Sequence, residues 1–185
     1  MPAAVDKSLI FDSVLEVWRS VGYEAASTRK IAEIAGIAEV TLYRRFETKE
    51  KLFVAAFRNE AQLLGSEDFE PSGNLEVDLT KVALAYQGLM IKLGPIVLEV
   101  MGGQLNPSVR KTLRPIAGQG MVKLEAIVQK YQKLGKLRSA KSSELLLGLI
   151  GPVLAETLLS QAGMNRGAKL DLKQHVKRFI MSNRS

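Results

Sequence analysis

Residues 27–53 read STRKIAEIAGIAEVTLYRRFETKEKLF, and the spacing of apolar and turn-forming residues in this stretch decides the fold. Ser27 stands at a helix N-cap, where its hydroxyl can accept a free first-turn amide. Ile31, Ile34 and Ala35 give the helix that follows a buried side, and Ala32 is small where a neighbouring helix would cross. Gly36 ends it, because glycine takes left-handed backbone geometry without a Cβ penalty. Ile37-Ala38 turns the chain into a second short helix, from about Glu39 to Phe46, with Leu42 and Phe46 inward at i and i+4. Thr48 then caps a longer helix from Lys49 to about Leu64, whose apolar face is Leu52, Phe53, Ala56, Phe57 and Leu63. Two short helices joined by a tight glycine turn form a helix-turn-helix. With Leu42 and Phe46 buried, the outer face of the second helix shows Glu39, Val40, Thr41, Tyr43, Arg44 and Arg45. Such a face suits the major groove of DNA, its first turn leading.

Upstream, Asp6 caps a helix whose apolar stripe is Ile10, Val14, Val17, Trp18 and Val21, stopped by Gly22. Downstream, residues 65–74 are rich in loop formers and acids, which places a domain boundary there. Beyond it the spacing predicts helices over 75–93, 95–105, 107–134 with a break near 114–120, 142–162 and 171–182. No hairpin turn or sustained alternation signals a strand. The expected architecture is all-α: a three-helix helix-turn-helix domain over 1–65 and a larger helical domain over 74–185.

Composition narrows the class. There is no cysteine, which removes disulfides, thiolate metal sites and cysteine nucleophiles, and suits a cytoplasmic protein. The N-terminus lacks the layout of a signal peptide. The longest uncharged apolar run, 145–155, falls short of the roughly 18 residues of a membrane span, so a soluble protein with no membrane partner is expected. The net charge is +7, yet residues 1–65 hold nine basic and nine acidic side chains. The excess lies wholly beyond them. Bulk charge adds attraction to DNA but does not locate the binding surface.

The window resembles the DNA-binding domain of the tetracycline-repressor (TetR) family. The resemblance runs from Ile10 to about Phe57 and is carried by Ile31-Ala32, Ala35-Gly36-Ile37, Thr41-Leu42-Tyr43, Phe46 and Lys49-Glu50 followed by Leu52-Phe53, with Gly22-Tyr23 ahead of the Ser27-Thr28 helix start. It implies that Thr28 and Arg29 contact phosphate, Arg29 also reaching toward a base edge. Thr41 would give a hydroxyl to phosphate, and Tyr43 an aromatic ring over the sugar backbone. Lys49, with the free amides at its helix start, would hold another phosphate. Arg44 and Arg45 carry forks suited to guanine or phosphate. Two positions depart from the family pattern: Ala38 offers no side-chain cap, and Val40 is bulky, able to meet a thymine methyl or to hold the helix off the groove. Glu39 reads in two ways, as acceptor of a cytosine amino group or as a solvated residue of the cap region.

The resemblance also implies that the C-terminal domain dimerises and binds a small effector. The residues support dimerisation independently: 142–162 is apolar nearly all round, through Leu145, Leu146, Leu147, Leu149, Ile150, Val153, Leu154, Leu158 and Leu159. Such a helix must be buried within its domain or against a partner. With Val176, Phe179 and Ile180 from 171–182 it would build a four-helix homodimer interface, so that two reading helices meet a palindromic double-stranded operator. Tyr86, Met90, Leu93, Met101, Leu105, Leu113, Ile116 and Met121 lie on the helices that enclose the effector pocket in the family, and suggest an apolar or amphipathic ligand; the same residues also fit a plain core. The basic run 110–141 reads as a solvated surface or as a site for an acidic effector or partner.

No cofactor, metal site or catalytic residue is expected. Two Ser-x-x-Lys matches, at Ser27 and Ser108, lack companion motifs. Gly118-Gln119-Gly120 lacks the third glycine of a dinucleotide loop, and His175 is the only histidine. An enzyme is therefore the weaker class. The closer alternative is a DNA-binding regulator governed by a protein partner or by its own abundance, with no small effector.

Overall fold

The computed structural model describes residues 6–66, 71–164 and 169–185. Among them the chain forms eight helices and no strand: α1 (Lys7–Ala25), α2 (Thr28–Ile34), α3 (Glu39–Phe46), α4 (Lys49–Ser66), α5 (Leu75–Gly102), α6 (Pro107–Lys133), α7 (Ser142–Gln161) and α8 (Leu172–Asn183). The all-α expectation holds. Residues 67–70 of the expected boundary segment lie outside the described residues, as does the side chain of Leu63.

Two compact units emerge, and they do not follow a single cut in the sequence. One comprises Met1–Gln62 and Pro95–Ala117; the other comprises Leu63–Gly94 and Gly118–Ser185. The first unit is built round an aromatic cluster. Trp18 is 1% exposed, with ring centroids 5.8 Å from Tyr23, 5.1 Å from Phe53 and 6.3 Å from Phe57. Ile10, Val14, Ile31, Leu42, Leu52 and Ala56 close the core around it. Asp6 caps α1 as expected, accepting from the Ser8 amide at 2.9 Å. Gly22 breaks the helical geometry at φ 77°, but the chain regains it as far as Ala25, so the glycine makes a kink and not a stop. Val21, expected on the buried stripe, is 53% exposed.

In the second unit, Asp78 is the buried polar hub. It accepts the Tyr131 hydroxyl at 2.5 Å, and both the Ser72 hydroxyl and the Ser72 amide at 2.7 Å. Burial on its own would raise the Asp78 pKa, but these hydrogen bonds outweigh it and hold the carboxyl below its ordinary value. Burial, together with Asp78, pushes the Tyr131 phenol up to about 12. Leu79, Val82, Leu124, Val128, Leu149 and Val153 supply the apolar packing of this unit.

Two expected helix breaks are absent. The stretches 75–93 and 95–105 form one helix, α5, which runs through Pro95 to Gly102, and α6 runs through Pro115 without interruption. A proline inside a helix leaves the carbonyl four residues back without its amide partner. For Pro95 that carbonyl is Ile91, and the side-chain amide of Gln161 donates to it at 2.8 Å. Gly94 permits this approach: a Cβ there would lie 3.2 Å from the Leu158 side chain and 3.3 Å from Gln161. α5 and α7 reach the length and mean hydropathy of a membrane-crossing helix when scattered charges are allowed. Only a third of each apolar stretch is buried, along Leu79 to Val100 and Leu145 to Val153.

Tyr131→Phe is expected to destabilise the protein by about 2 kcal/mol at pH 7, as loss of a buried hydrogen bond to a charged group does. A depressed folded-state pKa gives stability that is present above the unfolded value near 4 and lost as pH falls through the folded value. The gap between wild type and variant should therefore narrow at pH 3. Urea unfolding at both pH values checks this.

Candidate nucleic-acid interface

Each joint of the helix-turn-helix has a local cause. The Ser27 hydroxyl accepts the Lys30 amide at 3.4 Å and starts α2. At the other end Gly36 sits at φ 65°, the Gly36 amide donates to Glu33 at 3.2 Å, and the Ile37 amide reaches back to Ala32 at 3.0 Å. These paired bonds satisfy carbonyls that a bare helix end leaves open. α3 follows at Glu39 with no side-chain cap from Ala38, as the sequence implied. It ends at Glu47, the one described non-glycine residue with positive φ, at 63°. Thr48 then caps α4, its hydroxyl accepting the Lys51 amide at 3.1 Å.

α3 is amphipathic in the expected sense. Leu42 is 1% exposed, and Phe46 is half-buried against Phe11 with ring centroids 5.9 Å apart. Val40 is 71% and Tyr43 46% exposed, and Arg44 and Arg45 are exposed beside them. Thr41 is half-buried. Arg29 is exposed and pairs with Glu33 at 3.4 Å. Exposed pairs of this kind contribute about 0–1 kcal/mol, so the guanidinium is cheaply released to another anion.

The structure joins three residues that the sequence treated separately. The Thr28 hydroxyl donates to Glu39 Oε1 at 2.6 Å and lies 3.1 Å from the Tyr43 hydroxyl. A hydroxyl has one proton, and a carboxylate only accepts. With the Thr28 proton on Glu39, the Tyr43 phenol must be the donor to Thr28. The result is a relay, Tyr43 to Thr28 to Glu39, that ties the start of α2 to the outer face of α3. Glu39 is half-buried within it and is not the solvated cap residue of one sequence reading. No local pattern announces this link, because Thr28 lies 11 and 15 residues from its partners, on a different helix.

Lys49 turns inward. Its ammonium donates to the Glu24 carbonyl at 3.1 Å and sits 4.7 Å from the Tyr23 ring centroid and 5.6 Å from that of Phe53. Burial lowers its pKa, against the pull of Glu24 and Glu99. Burial likewise pushes the Tyr23 phenol up to about 12, aided by Glu50 and Glu24. Glu99 on α5 was not singled out by the sequence. It accepts the Trp18 indole N–H at 2.6 Å and the Tyr23 amide at 3.0 Å. Together with Leu98 and the exposed Val21 it lines an open cleft of about 550 Å³.

The expected effector residues divide between the two units. Tyr86, Met90 and Leu93 are buried in the second and Met121 is half-buried there; Leu105, Leu113 and Ile116 are buried in the first. Burial raises the pKa of Tyr86. Met101, expected on a cavity wall, is 64% exposed. The basic run is mostly a solvated surface: Lys111, Arg114, Lys123, Lys133, Arg138 and Lys141 are all exposed.

A tight two-helix joint, a buried inner side and an exposed outer side with two guanidinium groups define a helix-turn-helix protein. Residues 10–56 match the family described as bacterial regulatory proteins, tetR family. The HTH-type transcriptional repressor KstR of Rhodococcus jostii (strain RHA1) is 32% identical over 92 residues, which are 50% of this chain and 43% of that protein. The chain thus aligns with less than half the length of the curated relatives it matches. Among solved structures, a candidate TetR-family regulator from Vibrio parahaemolyticus superposes with a TM-score of 0.73 at 18% identity, over 97% of this chain and 98% of that one. A candidate transcriptional regulator from Saccharomonospora viridis, solved in complex with choline, gives 0.75 at 19% identity, over 95% and 96%. Residues 10–56 are thus similar to the DNA-binding domain of the tetR family, and the whole chain shares the fold of these regulators.

Glu99→Ala would leave the Trp18 N–H buried without an acceptor, at an expected cost of about 1–3 kcal/mol. Glu99→Gln, which keeps one acceptor, should cost less. Trp18 is the only tryptophan, so thermal unfolding followed by indole fluorescence reads both variants directly.

Proposed function

We propose that the chain is a sequence-specific, cytoplasmic transcriptional repressor that binds a palindromic operator as a homodimer and is released by a small apolar or amphipathic effector. The observation that carries this reading is the outer face of α3, where Val40, Tyr43, Arg44 and Arg45 stand exposed over a buried Leu42. Arg44 and Arg45 supply forked donors for guanine or phosphate, Arg29 and the Thr41 hydroxyl hold the backbone, and the Tyr43 ring lies over the sugar, while the Thr28 hydroxyl stays on Glu39. Lys49 contributes by fixing the start of α4 against Glu24, where the free amides of the helix would meet a phosphate.

Dimerisation is supported by what α7 leaves uncovered. Leu145, Leu146, Leu149, Ile150 and Val153 are buried within the chain's own unit, but Leu147 is 59% and Leu159 45% exposed. Val176 and Phe179, expected at the interface, are buried inside that unit and leave the face of α8 to Ile180 and to Met181, which is 80% exposed. Two such faces about a two-fold axis would set the reading helices roughly 34–36 Å apart, one turn of DNA. The effector reading rests on the apolar, buried surroundings of Tyr86, Met90 and Leu93, and on the choline held by the Saccharomonospora viridis protein. A ligand that favours a different helix separation lowers operator affinity in proportion to that preference.

Selection of genomic DNA fragments by the purified protein should enrich a short palindrome that the Tyr43→Ala, Arg44→Ala double variant fails to enrich. Salt-sensitive binding without sequence preference would instead assign the affinity to the basic surface, and the reading would fall. Leu147→Asp, an exposed change, should leave helical content intact, shift sedimentation toward the monomer and weaken operator binding at least tenfold.

A further inference from the structure

We infer that Glu39 is a base-reading residue, that it selects cytosine, and that Thr28 is the residue that positions it. This rests on the DNA-binding reading above and deepens it. A carboxylate on a DNA-facing helix is repelled by phosphate, so its presence calls for a compensating donor on the DNA. Here the carboxylate is also held in place: Thr28 donates to Oε1 at 2.6 Å, and the start of α3 favours negative charge. Among the described residues Oε2 takes no hydrogen bond, and the side chain is only half-buried. One oxygen is anchored and the other is presented, the arrangement a contact to a single amino group needs.

The chemistry of the major groove then names the base. Its only donors are the cytosine N4 and adenine N6 amino groups. The adenine amino group stands beside the N7 acceptor, whose lone pair repels a carboxylate. The cytosine amino group stands beside a C5–H, which does not. Glu39 therefore fits cytosine, one in each half of a palindrome. Val40, the neighbouring residue, is 71% exposed and apolar, and fits the C5 side of a pyrimidine. The hydroxyl relay adds a condition. Tyr43 donates to Thr28 and Thr28 to Glu39, so removing the Thr28 hydroxyl frees the carboxylate to swing while its charge stays.

The test is selection from a randomised duplex library by the full-length protein and by the variants Glu39→Gln, Glu39→Ala, Thr28→Ser and Thr28→Val. Wild type should select a palindrome with a cytosine in each half-site, favoured about fivefold or more over other bases at each. Changing both cytosines should then weaken binding by about 25-fold. Glu39→Gln should turn that position toward adenine, whose N6 and N7 a carboxamide pairs in bidentate fashion. Glu39→Ala should lose the preference there and keep it at every other position. Thr28→Ser, which keeps the hydroxyl, should preserve the cytosine; Thr28→Val should reduce its selection severalfold. A palindrome selected with an identical base profile by wild type and Glu39→Gln would overturn the inference, leaving Glu39 as a latch for Thr28 alone. Binding by wild type without any palindrome would overturn the DNA-reading proposal itself, and this inference with it. Should a Glu39 variant fail to fold, as circular dichroism would show, the Thr28→Ser and Thr28→Val profiles decide: no difference at the cytosine overturns the assignment.

Discussion

A buried indole N–H must find an acceptor, and in this protein the whole N-terminal unit is organised by how Trp18 finds one. Its ring fills the centre of the aromatic cluster that joins α1 to α4. Its nitrogen donates to Glu99, 81 residues further along the chain. The same carboxylate accepts the amide of Tyr23, just past the Gly22 kink, so one side chain fixes both the helix and the point where it bends. From there the chain has few residues in which to begin α2, and the start of α2 sets α3. The outer face of α3 is thus positioned by a contact remote from it. An unpaired polar atom in such surroundings costs about 1–3 kcal/mol, a large share of ordinary stability.

The parts of the fold legible in the sequence were those with local causes. Ser27, Gly36 and Thr48 act through amides within four residues, and they place α2, α3 and the start of α4 as read. Pro95 escapes a local reading for the opposite reason. The sequence shows a missing donor, but the replacement comes from Gln161 on another helix, brought near by Gly94. Helix continuity through a proline is a tertiary fact.

The site shows the same division. That Val40, Tyr43, Arg44 and Arg45 face outward follows from the period of α3 and from Leu42. That Lys49 turns toward Glu24 and Tyr23 does not, since its partners lie on α1. The Thr28, Tyr43 and Glu39 relay likewise bridges two helices. Residues assigned one by one to phosphate or base prove to share protons. A shared proton ties these side chains to one another, so that a change at Thr28 is felt at both Glu39 and Tyr43.

The uncovered leucines of α7 have a further meaning. In the proposed dimer, a protomer that leaves Leu147, Leu159 and Met181 in water would gain stability from its twin, and by mass action that gain would fade as the protein is diluted. In the proposed dimer, cellular dosage would set folding and operator occupancy together. Halving the copy number would remove more than half of the bound operators, because pairing precedes binding. The surviving singletons, with apolar surface bare, would be the first molecules offered to proteases. Gene dosage would then be an input to the proposed switch in its own right, acting through the same surface that would hold the two halves together.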